Sequence, residues 1–417
     1  MSEHRKNLLP MYLKGLVAGK YTLKQAAEST GYSVRYMWEL KRRYLKEGMS
    51  VLEHRGKHRI AHNKTSVFIE NAVIAIYAAK YKDVNFKFFR DCLEDFENIK
   101  ISYPTLLGIM KRAGVRSPES RKVKRTVATH RPRMRRQNEG DLLQLDGTPY
   151  AWFYKSGDNN YYALHGCIDD ATGKITGLYF TQNECLYGYM EVLRQTINNY
   201  GVPRETYTDR AAIFCVTPKN KKNLTIWEEL AGIHDKRTQW QRILSDLSIN
   251  QILAWSPQAK GRVERMWHTL QGQLPQWFYN MGIKTVEEAN KKIHLYIKKF
   301  NEKYGVKPEK NDSFYRPLEP NEDIEKILTA QFPKKTDHTG CFIFQGEQFY
   351  LRHPTPANKH FMLHISDLGI YAEYDNKYYD VSLTSDYIQE CKGDAMPQVV
   401  KDIVYRYLLA FAKEISV

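Results

Sequence analysis

The stretch Ser256-Pro257-Gln258-Ala259-Lys260-Gly261-Arg262-Val263-Glu264-Arg265 sets one carboxylate among three cations. It reads as a Pro/Gly loop feeding an amphipathic run. Met266, Trp267, Leu270 and Leu274 continue that run at the spacing of one buried helical face. Glu264 then falls in the first turn of the helix, near its positive end and away from the apolar side. Lys260, Arg262 and Arg265 crowd the same end. Cations there oppose the helix dipole, so a merely solvated helix start is an unattractive account. One acid amid three cations suits a site that handles a metal ion and phosphate together.

This motif resembles the third acidic segment of the DDE transposase/retroviral integrase superfamily. Its wording is most similar to insertion-sequence transposases of the ISNCY group. The resemblance implies two more acidic segments upstream, each at the end of a strand, and two stretches fit. Leu142-Leu143-Gln144-Leu145-Asp146-Gly147-Thr148 is an apolar strand ending in Asp146, and Glu205-Thr206-Tyr207-Thr208-Asp209-Arg210 is a β-branched and aromatic strand ending in Asp209. The catalytic and metal-binding set so implied is Asp146, Asp209 and Glu264, in the family's order. It would hold two Mg²⁺ (or Mn²⁺) ions, hard cations that prefer carboxylate oxygens. Asp146 would bridge the pair, with Asp209 and Glu264 on one ion each. Such a pair can activate a water or a DNA 3′-hydroxyl and stabilise the leaving oxygen, so no Ser or Tyr nucleophile is needed. Asp169 and Asp170 are rival acids, but Asp169-Asp170-Ala171-Thr172-Gly173 reads as a strand-to-strand turn.

Contacts to DNA are expected from Gln258, Lys260, Arg262 and Arg265. His268 and Gln271 stand four and seven residues beyond Glu264, where retroviral integrases place lysines. Being uncharged at pH 7, they would contact DNA by hydrogen bonds. One departure from the family pattern is the 54 residues between Asp209 and Glu264, longer than in retroviral integrases. The excess falls mostly in 213–236 and reads as an insertion near the site. Trp152, Phe153 and Trp255 are expected in the core.

These residues need a scaffold and a means of reaching DNA. The chain has 417 residues, enough for several domains, with 63 Lys and Arg against 47 acidic residues for a net charge of +16. That excess favours a polyanionic partner. No apolar run approaches a membrane span, and the N-terminus lacks the apolar core of a signal peptide, so nucleic acid is the better partner. The six cysteines are scattered without a CxxC pair, as expected of reduced, mostly buried thiols. A cytoplasmic protein, nucleoid-associated if bacterial, is expected.

The fold expected is multidomain. N-terminal all-α helix-turn-helix domains precede a central α/β RNase H-like, integrase-type catalytic core and a C-terminal small β-barrel. Residues 1–60 form the first helical domain. Thr22 and Gln25 cap one helix, Gly31 breaks it and Ser33 caps the next. Leu23, Ala26, Ala27, Val34, Met37 and Leu40 are its expected core, and Arg35, Tyr36, Lys41 and Arg42 its expected DNA contacts. Residues 61–115 form a second helix-turn-helix-like unit. Residues 116–140 form a basic linker. From Lys111 to Arg136 there are eleven Lys or Arg and one acid, Glu119, so Arg133, Arg135 and Arg136 are expected along DNA. The core spans 141–304, with strands at 141–147, 161–168, 174–181, 205–208 and 250–254 and helices at 185–200, 238–247 and 261–278. A linker (305–335), the barrel (336–395) and a terminal helix (396–417) follow.

The function so expected is a DNA transposase. It would bind terminal inverted repeats as a homodimer or larger assembly, then cut and join double-stranded DNA with no membrane involved. The rival readings are a transposase-derived DNA-binding protein without catalysis and an RNase H-like nuclease.

Overall fold

Thr22 opens a helix by reciprocal capping: its hydroxyl accepts from Gln25 N–H, and the Gln25 side chain accepts from Thr22 N–H. In this computed structural model, residues 3–52, 65–118, 134–216, 237–254, 261–351, 357–384 and 398–410 are described. They divide into two units, Met1–Ile76 and Tyr77–Val417. The boundary falls inside helix α4 (Val67–Lys80).

In the first unit, α1 (Glu3–Val17), α2 (Leu23–Thr30) and α3 (Val34–Glu47) surround two small cores. Leu16, Ala26, Ala27 and Met37 form one, and Leu13, Leu40 and Val51 the other. Gly31, at φ +73°, ends α2 in the left-handed conformation, and the Ser33 hydroxyl caps α3. Val34 was expected in this core and is exposed instead. As the first residue of α3 it stands four residues before exposed Trp38, on the same side of the helix.

The larger unit starts in the last turn of α4 and continues with α5 (Phe86–Phe96) and α6 (Tyr103–Arg112), capped by Asn85 and Ser102. Then comes a five-stranded mixed sheet in the order β3-β2-β1-β4-β5. Its strands are β1 (Leu143–Tyr150), β2 (Tyr162–Asp169), β3 (Ile175–Thr181), β4 (Glu205–Thr208) and β5 (Asn250–Leu253). The first three run antiparallel, and β4 and β5 pair parallel through crossovers. The helices are α7 (Leu186–Asn199), α8 (Gln239–Asp246), α9 (Gly261–Met281) and α10 (Val286–Tyr304). Leu143 and Leu145 join the core made with Leu186, Tyr189 and Met190 of α7. Trp152 and Phe153 are wholly buried, as expected. Lys303 pairs with Asp91 and Lys299 with Asp95, fastening α5 to α10.

The segment expected as a linker at 305–335 is fastened to this core. Val306 N–H donates to Thr172 O, Phe314 N–H to Glu139 O, and Val202 and Arg316 bridge. It ends in α11 (Ile324–Ile327) and a strand absent from the expected set, β6 (Ala330–Lys335). Five more strands follow: β7 (Cys341–Phe344), β8 (Glu347–Leu351), β9 (His360–Ser366), β10 (Gly369–Tyr374) and β11 (Lys377–Leu383). The sheet order is β6-β9-β10-β11-β8-β7, and its outer strands approach through Phe332 and Phe344, 5.3 Å apart. Pro333 hid β6: proline is tolerated on such an outer strand but argues against a central one. The terminal helix is expected over 396–417. Among the described residues it is α-helical at α12 (Gln398–Val404) and π-helical at Tyr405–Leu409. Cys92, Cys167, Cys185, Cys215 and Cys341 are free thiols. No helix among the described residues is long and apolar enough to cross a membrane.

Candidate active site

Strand register brings the first two acids together. β1 and β4 lie side by side in parallel, with Leu143 opposite Thr206 and Gln144 opposite Tyr207. Continued along both chains, that register would bring Asp209, the residue after β4, level with Asp146. Both side chains are half-buried. Asp209 leaves β4 in a short turn in which its carboxylate accepts from Ala211 N–H at 2.9 Å.

Helix α9 runs along the same strand in step. Val263 N–H faces Gln144 Oε1 at 3.4 Å, Trp267 Nε1–H donates to Asp146 Oδ2 at 2.9 Å, and Gln271 Nε2 reaches Thr148 Oγ1 at 3.4 Å. Four residues of helix and two of strand both advance about 6 Å, so the elements stay in phase. Glu264 is exposed on α9, between the anchors at Val263 and Trp267. Gly166 pairs with Asp146 across β2 and makes this possible. A Cβ there would lie 2.6 Å from Trp267 Cη2. Gly166→Ala is therefore expected to cost about 1–3 kcal/mol through overpacking. Denaturant midpoints would measure that cost, and tryptophan near-UV circular dichroism would report the displaced indole.

The expected DNA contacts fall into distinct surroundings. Arg262 is turned inward, its side chain 12% exposed and its Nε 2.7 Å from Asp170 Oδ1. Arg135 donates to Ala171 O at 2.9 Å, and the Arg136 guanidinium donates to Glu205 at 2.7 Å. Burial, then nearby Arg262, lowers the Arg135 pKa. Gln271 is half-buried on Thr148. Arg265 and His268 are exposed. In the first unit, Arg35, Tyr36 and Arg42 are exposed and Lys41 is half-buried. Arg35 pairs with Glu39 at 3.6 Å, and the Arg42 guanidinium lies 5.8 Å from the ring centre of Trp38, itself 49% exposed. Trp38 went unremarked in the sequence, although it lies one helical turn from Arg35 and Arg42. Arg133, Gln258, Lys260, Trp255 and most of the 213–236 insertion lie outside the described residues.

Sequence reasoning also missed a buried polar group beside Asp146. The Tyr189 hydroxyl donates to Glu184 Oε1 at 2.6 Å. A Cβ on Gly147 would sit 2.9 Å from that hydroxyl and 3.0 Å from Glu184 Cδ, so the missing side chain leaves room for both. Burial raises the Tyr189 pKa far above its ordinary value, and the charges of Glu184, Asp146 and Asp209 add to the shift. His165, opposite Gly147 on β2, is wholly buried; its Nε2 accepts from Cys185 N–H at 3.1 Å, at the start of α7. Nδ1 then carries the proton and faces Tyr179 O at 3.3 Å.

Donor type fits a hard divalent ion. Asp146, Asp209 and Glu264 offer carboxylate oxygen alone, the chemistry Mg²⁺ and Mn²⁺ prefer. Yet among the described residues no group of three or more His, Cys, Asp or Glu is placed to hold a metal as it stands. Asp146 is on β1, Asp209 lies just past the end of β4, and Glu264 is on the flanking helix.

No protein-family model matches the chain. It is 31% identical over 340 residues to y4bF of Sinorhizobium fredii, named as a transposase, covering 81% of this chain and 71% of that protein. It is 30% identical over 420 residues to the transposase for insertion sequence IS1202 of Streptococcus pneumoniae, covering 91% of this chain and 86% of that one. Among solved structures, the HTLV-2 integrase catalytic core domain in complex with magnesium is 17% identical. It covers 40% of this chain and 88% of that one, at a TM-score of 0.27, too low to decide anything here.

Proposed function

This chain belongs to the insertion-sequence transposases, and we propose that it cuts and joins DNA at Asp146, Asp209 and Glu264, in an RNase H-like core at 141–304. The observation that supports the reading is the parallel pairing of β1 with β4, whose register continued past Thr208 would bring Asp209 level with Asp146, with the helix bearing Glu264 docked along the same strand. The three carboxylates would hold two Mg²⁺ or Mn²⁺ ions. Divalent ions so bound supply an activated oxygen nucleophile and neutralise the charge that builds up on the phosphate.

This chain's own residues set the geometry. Trp267 Nε1–H fixes one oxygen of Asp146 and so orients the carboxylate. Ala211 N–H does the same for Asp209. Glu264, exposed and in the first helical turn, can swing toward the pair when an ion and a DNA end arrive. Arg265 and His268, exposed on the same helix, are candidates for contacts to phosphate, as are Gln258 and Lys260 before it. Helix α3, with Arg35, Tyr36, Lys41 and Arg42, would read the terminal repeats within a 1–60 domain, assisted by 61–115 and the 116–140 basic linker. Two ends must be processed together, so a homodimer or larger assembly is expected.

The test is a strand-transfer assay with a labelled terminal-repeat duplex and a target plasmid. Joined product in Mg²⁺, lost on chelation while end binding persists, is the expected result. Cutting without joining would favour an RNase H-like nuclease. Binding alone, with neither reaction in Mg²⁺ or Mn²⁺, would favour a DNA-binding derivative of a transposase.

A further inference from the structure

We infer that Asp170 is a positioning residue for Glu264, acting through Arg262 and Gln144; the inference rests on the function proposed above. Asp169 and Asp170 are adjacent and both buried, yet they do different work. Asp169 holds its own turn, accepting from Thr172 N–H at 2.7 Å and from the Thr172 hydroxyl at 2.8 Å, and ties that turn to Gly140 N–H at 2.8 Å and the Tyr315 hydroxyl at 3.4 Å. Asp170 makes its bonds to three other segments. Its Oδ1 accepts from Gln144 Nε2 on β1 at 2.8 Å and from Arg262 Nε on α9 at 2.7 Å, and its Oδ2 accepts from Arg136 N–H at 2.8 Å.

Gln144, also wholly buried, then turns its Oε1 to Val263 N–H. That N–H belongs to the first helical turn, where the backbone has no intrahelical acceptor. Arg262 and Val263, the two residues before Glu264, are thus both gripped by one hub. Three residues beyond Glu264, Trp267 grips Asp146. The helix carrying the third acid cannot rotate or slide along β1 without breaking a buried bond on one side of Glu264 or the other.

Stability is a poor reason for such a hub. Asp170 is 0% and Arg262 12% exposed in their side chains, and taking both charges out of water costs about as much as their attraction returns. What a buried ion pair does supply is a fixed register, here between β1 and the start of α9. It also accounts for Arg262, which was expected on DNA: its guanidinium is aimed into the protein.

The experiment uses the full-length chain and Mn²⁺ as probe. Direct Mn²⁺ binding by electron paramagnetic resonance, affinity for a terminal-repeat duplex, and joining rate against DNA concentration are measured for wild type and three variants. Arg262→Gln is expected to weaken Mn²⁺ binding about tenfold or more and to lower kcat for joining by a similar factor. KM and end affinity would stay within about twofold. Asp170→Asn/Arg262→Gln replaces the ion pair with two amides that can still bond, and is expected to recover most of the Mn²⁺ affinity. Circular dichroism melting confirms that each variant is folded. Glu264→Gln is the reference. If it weakens Mn²⁺ binding while Arg262→Gln does not, the positioning role is overturned and the function stands. If Arg262→Gln weakens end affinity and leaves Mn²⁺ binding alone, Arg262 is a phosphate contact and the inference also fails. If Glu264→Gln changes neither Mn²⁺ binding nor joining, the function reading falls, and the inference with it.

Discussion

Asp146→Asn is expected to reduce strand joining on the order of a thousandfold while leaving the chain folded and bound to its DNA ends. The substitution is isosteric. The asparagine carbonyl oxygen can still accept from Trp267 Nε1–H. Gly166, across β2, still leaves room for the indole. What is lost is one negative charge at the centre of the site, and a neutral amide is a poor ligand for a hard cation. Charge stabilisation by a bound divalent ion is worth several kcal/mol in the transition state, and about 4 kcal/mol corresponds to a thousandfold in rate. Single-turnover joining at saturating ends is the measurement, with an unchanged melting temperature and end affinity as controls. Asp146→Asn protein that joins ends at more than a tenth of the wild-type rate would remove Asp146 from the chemistry.

Much of the core was legible because its signals are local. All five strands of the mixed sheet were expected within a few residues of their ends, β1 as an apolar run and β4 as a β-branched and aromatic stretch ending at an acid that the family resemblance called for. Thr22 and Ser33 announced helix starts and do cap them. What escaped depends on partners distant in sequence. Asp170 was read as turn chemistry, which is what its neighbour Asp169 performs; nothing near it indicates an arginine 92 residues further on. Arg262 was read as a surface cation because sequence gives its charge and not its direction. Gln144 did leave a trace, as an amide inside an otherwise apolar strand. Buried polar groups are bonded to something, so that amide pointed to an unidentified partner. The register of β1 on β4 could not be read either. The two strands are joined across two further strands and a helix, and no local pattern fixes which residue of one faces which of the other.

Acidification should weaken the fold next to the site, and His165 sets the sign. Burial drives its pKa from 6.5 down to about 4. The ring nitrogen that would take the proton already accepts from Cys185 N–H. Below pH 6.5 the unfolded chain protonates at this histidine while the folded chain does not. The stability that neutral His165 contributes is therefore full above pH 6.5 and is lost as pH falls toward 4, a difference of about 3 kcal/mol. Asp169 works the other way: burial raises its pKa, so its protonation offsets part of the loss. The comparison must isolate His165, which chemical denaturation of wild type and His165→Gln at pH 7.0 and pH 4.5 can do. The variant is expected to be the less stable at pH 7.0, and most of that gap should close at pH 4.5. A gap unchanged with pH, or an imidazole titrating near 6.5 in the folded chain by NMR, would sink the prediction. The consequence reaches the chemistry through short links. Cys185 N–H opens α7, Glu184 precedes it, and the Tyr189 hydroxyl ties Glu184 beside Gly147. Protonating His165 turns an acceptor into a donor that faces another N–H. The start of α7 must then move, and with it Glu184, which packs against Gly147, the residue after Asp146.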